Sequence, residues 1–361
     1  MRVALVHDYI NQKGGAERVL EQLCLLFPNA PIFTLFFDPL QLTETMRNRE
    51  INTTWINKLP RRFKNSKIFL PFFPTAIEQL DFSDYDFVIS SSTAFAKGII
   101  TNSNVTHISY CHSPMRYAWD WTHEYLKEQG FGRIKTALSR VFLNYLRVWD
   151  RISAERVDYW IANSNVTQKR IKKYYRVDSE VIYPPVSVSR FKPKAKKEDY
   201  FLIVSRLSPY KKIDLAIMAF NELKLPLVII GEGRDKKRLQ KLSSKNIEFL
   251  GYQSDQATTA HFENAKAFIF PGEEDFGITP VEAMAAGTPV IAYGKGGVLE
   301  SVIPGITGEF FYTPTKDALK SVVQNFLNNS YNHKKIRAQA EKFDSSVFDE
   351  NIINFVNNVF K

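Results

Sequence analysis

Short apolar, β-branched runs alternate with amphipathic, helix-length segments from one end of this chain to the other, and that alternation limits the fold more than any motif does. In the first half the strand candidates are residues 2–7, 32–36, 86–90, 107–111, 159–163 and 180–183. In the second half they are 200–204, 227–230, 247–250, 267–270 and 289–293. Each is almost continuously apolar, as strands buried on both faces of a parallel sheet must be. Two such series predict two doubly wound α/β domains, and 361 residues is too long for one compact core. Tyr183-Pro184-Pro185-Val186 stops a strand, and Ser187 to Lys197 is polar and basic before the next strand begins. Pro-Pro sets an extended connector there, which places the domains at 1–186 and 187–344. The last segment spaces Phe348, Ile352, Phe355, Val356 and Val359 on one helical face.

Composition narrows the class. At 44% hydrophobic and 24% charged residues the chain is globular, not disordered. No apolar run approaches the roughly 20 residues that span a bilayer. The amino-terminal run is closed by His7 and Asp8, which reads as a buried strand and not as a signal peptide. Two cysteines, Cys24 and Cys111, are too few for a disulfide framework or a zinc site of their own, so a reduced, cytoplasmic protein is expected. The net charge of +10 favours polyanions: nucleic acid, phosphorylated ligands or an anionic membrane surface. Residues 55–73 mix Trp55, Phe63, Phe69, Phe72 and Phe73 with Arg61, Arg62, Lys64 and Lys67. That mixture fits a membrane interface, and equally a core-packed segment with solvated cations.

Open α/β sheets bind ligands beyond the carboxyl ends of their strands, so chemistry is sought in the loops found there. After the first strand, Gly14-Gly15 allows a tight turn into a helix whose free N–H groups suit an anion, although a plain helix-opening turn fits as well. Asp84-Tyr85-Asp86 matches a D-x-D metal pattern but precedes its strand, which favours a solvated turn. His112 ends a strand and is followed by Ser113-Pro114. Arg206 follows a strand and Lys211 lies near the next helix, where two cations can neutralise a diphosphate. Gly231-Glu232-Gly233 is half of a dinucleotide fingerprint, since Lys236 stands where the third glycine belongs. The richest stretch, 270–289, reads strand, loop, helix, turn, strand. Thr279 is the expected N-cap with Pro280 at the first helical position, and Glu282 then fits a capping box. Glu274 has no such local partner, and an acid beside an anion site is expected to accept hydrogen bonds from hydroxyls such as a sugar's.

Within this stretch Glu274 and Glu282 form an E-x₇-E motif inside Glu274-Asp275-Phe276-Gly277-Ile278-Thr279-Pro280-Val281-Glu282-Ala283. The motif closely resembles the signature of the retaining family-4 glycosyltransferases, whose fold is GT-B, two Rossmann-like parallel-sheet domains facing a central cleft. The Gly14-Gly15 loop, His112, Asn163-Ser164, the Arg206/Lys211 pair, Gly231-Glu232-Gly233 and Gly296-Gly297 with Glu300 extend the resemblance along most of the chain. His112 to Asp120 looks most like bacterial mannosyltransferases that build O-antigen or exopolysaccharide.

The resemblance implies an amino-terminal acceptor domain and a carboxyl-terminal donor domain, with the final helix, 345–361, crossing back onto the first. It implies that Arg206 and Lys211 hold the donor diphosphate and that Glu282 binds ribose hydroxyls. Glu274 would contact the donor sugar, with the amides of Phe276, Gly277 and Ile278 beside it. Gly15 and Gly231 would let backbone approach the donor, and His112 would lie beside the sugar. Lys212 replaces the glycine that family members often carry after the diphosphate lysine. The implied reaction is hexosyl transfer with retention, mannose from GDP-mannose, to a glycan or polyprenyl-diphosphate-linked acceptor, without a metal or other cofactor. The implied place is the cytoplasm, on the inner face of the membrane if the protein docks there. UDP-sugar transfer, a GT-B epimerase or phosphorylase, and a non-catalytic protein binding nucleic acid or another polyanion are the competing readings. Nucleic acid is the weakest of these, because the aromatics mostly fit strand and helix interiors.

Overall fold

The structure is a computed structural model that describes residues 2–60 and 67–360. It divides into two units, Met1–Tyr183 and Pro184–Lys361, and each is an all-parallel sheet flanked by helices.

In unit 1 the strands are β1 (Val3–His7), β2 (Ile32–Thr34), β3 (Ile51–Thr53), β4 (Phe87–Ser92), β5 (Thr106–Cys111), β6 (Tyr159–Ala162) and β7 (Glu180–Val181). Their order across the sheet is β3-β2-β1-β4-β5-β6-β7. In unit 2 they are β8 (Phe201–Val204), β9 (Leu227–Ile230), β10 (Ile247–Gly251), β11 (Ala267–Phe270), β12 (Val290–Tyr293) and β13 (Gly308–Phe311), ordered β10-β9-β8-β11-β12-β13. The order reverses between β1 and β4 in unit 1 and between β8 and β11 in unit 2. At such a switch point the flanking loops diverge and leave a crevice for a ligand.

Burial explains why these segments are strands. Every residue of β4, β9 and β11 is buried, which demands helices on both faces. Helix α1 (Gly15–Leu26) supplies part of that cover by burying Val19, Leu20, Leu23 and Cys24. In unit 2, helix α3 (Ile213–Leu223) does the same with Ile213, Ala216, Ile217 and Phe220, packed over Phe201, Ile203 and Ile229. Helices α2 (Arg133–Ser153), α4 (Ile278–Ala285) and α5 (Ser345–Val359) enter the arguments below. Helix α5 is grouped with unit 2, whereas the family resemblance joins the final helix to the first domain.

Two strands escape the sequence reading, and both are sheet edges. Ile51-Asn52-Thr53 has three residues, one of them strongly polar, and Gly308-Glu309-Phe310-Phe311 opens on glycine and glutamate. The expected basic connector also differs. Val186, Val188 and Phe191 are buried, and Phe191 packs edge-on against Phe262 with ring centroids 5.9 Å apart. The segment after Pro185 therefore packs as a wall of unit 2, not as a linker.

Of the segment read as a membrane surface, Arg61, Arg62, Phe63 and Lys64 lie outside the described residues. Phe73 is buried, and Leu59, Phe69 and Leu70 pack on the core of unit 1, as the core-packed reading expects, whereas Trp55 and Phe72 remain exposed.

Candidate functional site

Four loops leave the carboxyl ends of β8, β9, β11 and β12, and the chain ties them into one platform. Leu207 N–H donates to the Glu232 carbonyl at 2.8 Å, joining the loops after β8 and β9. Gly297 N–H donates to the Glu274 carbonyl at 2.9 Å, joining those after β12 and β11. Gly231 has a φ of +136°, and a Cβ there would fall 1.9 Å from the Ser205 carbonyl oxygen. Any side chain at this position would push the two loops apart. The glycine of the half-fingerprint thus has a packing reason to be glycine, independent of any nucleotide.

The loop after β8 turns through Pro209–Lys211 before α3 begins at Ile213. Lys212, where the family often has glycine, adopts φ +54° and keeps the left-handed turn. Lys211 is thereby aimed across the switch point, where its ammonium pairs with the Glu274 carboxylate of the loop after β11. Arg206 is exposed on the same loop and donates to the Tyr210 hydroxyl at 3.0 Å. The structure therefore brings Arg206, Lys211 and Glu274 onto adjoining loops of one sheet edge.

Helix α4 starts differently from the sequence expectation. Its N-cap is Gly277, at φ +88°, and Thr279 and Pro280 lie within the first turn. A left-handed cap admits glycine readily, and it shifts the helix start two residues upstream. Glu282 consequently closes no capping box. Its carboxylate meets the Arg190 guanidinium at 2.5 Å, and the glutamate side chain is only 3% exposed. Arg190 also lies over the Phe191 ring, 4.6 Å from its centroid. The contact fixes the orientation of the buried Glu282 carboxylate. The Phe276 side chain is buried against Phe343, so only its backbone is left to serve a ligand. The sequence reading missed Arg190 because the segment carrying it was taken for a connector.

Unit 1 carries a second constellation at its own switch point. His7 and Ser91 are register partners on β1 and β4. The Ser91 hydroxyl bonds to His7 Nδ1 at 3.1 Å and to His112 Nε2 at 2.8 Å. A hydroxyl can donate to one ring and accept from the other, so the three form a relay. Burial, with His7 adding to it, pushes the His112 pKa down to about 3. At neutral pH His112 is therefore an uncharged hydrogen-bonding ring and not a resident acid. Asp8, at the end of β1, is buried and accepts from the backbone N–H groups of Thr93, Ala94, Phe95 and Ala96 at 2.6–3.0 Å. It pins the loop after β4 beside the relay. Its place at a strand's carboxyl end was the available signal for it. Glu17 accepts from Gly14 N–H at 3.0 Å, which fixes the turn that leads Gly15 into α1. Asp86, by contrast, accepts from the Arg2 amide at 2.5 Å at the amino end of the sheet, away from every loop just described.

Comparisons with known proteins agree along almost the whole chain. The model for glycosyltransferase family 4 matches residues 13–190, and that for glycosyl transferases group 1 matches residues 187–343. The alpha-1,3/1,6-mannosyltransferase of Dictyostelium discoideum is 24% identical, covering 99% of this chain and 98% of that one. The GDP-mannose-dependent alpha-mannosyltransferase of Mycolicibacterium smegmatis is 33% identical over 44% of this chain and 46% of that one. Among solved structures, sucrose-phosphate synthase of Thermosynechococcus elongatus superposes with a TM-score of 0.77 at 18% identity, covering 100% of this chain and 99% of that one.

Proposed function

The chain belongs to the family-4 glycosyltransferases of GT-B fold, and on that premise we propose that it moves mannose from GDP-mannose to a glycan or lipid-linked glycan acceptor, with retention at the anomeric carbon. The observation that carries this reading is the Lys211–Glu274 pair, a cation and a carboxylate facing each other on the two loops of the unit 2 switch point. Mannose and GDP are supported by the names of the Dictyostelium and Mycolicibacterium relatives.

The pair holds each side chain in place before the donor arrives. An incoming diphosphate competes with Glu274 for the ammonium, because its charge is larger and spread over several oxygens. Lys211 then turns to the phosphates together with Arg206, and the released carboxylate accepts hydrogen bonds from the sugar hydroxyls. As the bond from the anomeric carbon to the diphosphate breaks, negative charge grows on the leaving group, where the two fixed cations are worth most. The diphosphate itself takes the acceptor's proton as the acceptor hydroxyl attacks the same face. Glu282, held by Arg190, accepts from the ribose hydroxyls, and the backbone at the start of α4 serves the phosphates. In unit 1, taken by itself, the neutral His112 ring backed by Ser91 offers a hydrogen bond to a ligand hydroxyl. No metal or other cofactor is assigned a step.

The reading is tested by thermal stabilisation with a panel of nucleotide sugars, since a ligand raises stability as RT ln(1 + [L]/Kd). GDP-mannose should give the largest shift. A larger shift with UDP-sugars would move the donor assignment to uridine, and no shift with any member would overturn the function.

A further inference from the structure

Helix α2 turns its most apolar face outward. Ile134, Leu138, Val141, Tyr145, Val148 and Ile152 follow one another by four, three, four, three and four residues, and each is between 47% and 79% exposed. That spacing draws a single stripe along the 21-residue helix. Leu143, Leu146, Asp150 and Ser153 are buried on the opposite side and seat the helix on unit 1. Asp150 there closes a buried ion pair with Lys97 at 2.9 Å and accepts from Trp119 and Tyr175. Attachment to the unit therefore does not need the stripe, and a continuous apolar row of this length is not ordinary surface scatter.

The charges beside the stripe say what covers it. From residue 131 to 153 the chain carries Arg133, Lys135, Arg140, Arg147 and Arg151, against the single acid Asp150, which is committed to Lys97. At about 100° per residue, Arg133 and Arg151 fall on one flank of the stripe and Lys135 on the other. Arg151 pairs with Glu155 just past the helix end, and the other two have only cations near them along α2. A second copy docked through this face would set cation against cation. An anionic lipid surface would instead neutralise them while the apolar row enters the acyl boundary. Tyr145 in the row suits the headgroup level, and Phe131 at its head adds apolar surface.

We propose that α2 is an in-plane anchor by which this chain lies on an anionic bilayer. The inference does not rest on the donor assigned above, and it places the docking surface on α2 instead of residues 55–73.

The test is co-sedimentation of the full chain with vesicles of phosphatidylcholine and phosphatidylglycerol in equal parts, beside vesicles of phosphatidylcholine alone. Binding should require the anionic lipid and weaken with salt. The triple variant Leu138→Asn, Val141→Asn, Val148→Asn should lose roughly tenfold or more in partitioning, since the apolar row carries the insertion. Its thermal melting should be unchanged, because these side chains face away from the core. The variant Arg133→Glu, Lys135→Glu should lose as much while keeping the row intact. Equal binding to both vesicle types, or wild-type binding by either variant, would overturn the proposal. A dimer in solution that the triple variant dissolves, with no vesicle binding, would show that a second copy covers the stripe instead.

Discussion

Lys211 and Glu274 stand 63 residues apart in sequence and meet as an ion pair, each in the loop that follows a strand bordering the unit 2 switch point. Neither residue is deeply buried, so the pair adds little to stability. Its value lies in position. Lys211→Ala and Arg206→Ala should each lower kcat/KM by roughly a hundredfold, as loss of a fixed charge on a developing anion does. Both variants should melt close to wild type. Steady-state kinetics beside a melting curve checks this, and near-normal turnover in either would reduce that cation to surface charge.

Arg190 and Glu282 form the opposite kind of pair. Glu282 is almost fully enclosed, so losing the Arg190 guanidinium removes a short hydrogen-bonded contact from a buried carboxylate. Arg190→Met should cost about 2–3 kcal/mol of stability and weaken nucleotide binding together, because it disturbs the carboxylate that serves the ribose. Urea denaturation and calorimetry with GDP measure the two effects. Unchanged stability would mean that the Arg190 contact does not hold Glu282 in place.

Lys212 tests the backbone separately from the charge. It occupies the left-handed region at φ +54°, a conformation that costs a non-glycine residue about 1 kcal/mol. Lys212→Gly relieves this cost but widens the unfolded ensemble, so a gain of up to about 1 kcal/mol is expected with turnover retained. A loss of activity would give the Lys212 ammonium a role of its own.

His107 and His112 make stability depend on pH. Burial pushes both rings down to about 3 from an ordinary 6.5. The unfolded chain therefore binds more protons than the folded one below pH 6.5, and stability falls as pH drops from there towards 3. Above pH 6.5 neither ring contributes a slope. Urea midpoints measured from pH 8 to pH 4 should be flat and then decline, and His107→Gln should remove part of the decline. A profile rising towards acid would contradict the burial of both rings.

The central strands were legible because buried parallel strands must be apolar throughout, a signal that survives in sequence; their order, and with it both switch points, was not. The edges were not, since Ile51–Thr53 and Gly308–Phe311 are paired on one side only and can remain short or polar. Arg206, Lys211 and Glu274 could be named because they follow strands. Their mutual pairing could not, since it depends on how two loops 63 residues apart cross. Thr279 misled for a local reason: it is a better N-cap by side chain, but Gly277 can take the left-handed backbone that starts the helix earlier.

The most direct test of the account is calorimetry with free GDP and with GDP-mannose on Glu274→Gln and Glu282→Gln, beside steady-state rates. Glu282→Gln should weaken both ligands and raise the donor KM. Glu274→Gln should leave free GDP affinity nearly unchanged and lower kcat, because free nucleotide has no sugar for that carboxylate to meet. If Glu274→Gln lost GDP affinity as badly as Glu282→Gln, the division of the donor site between these two carboxylates would be wrong.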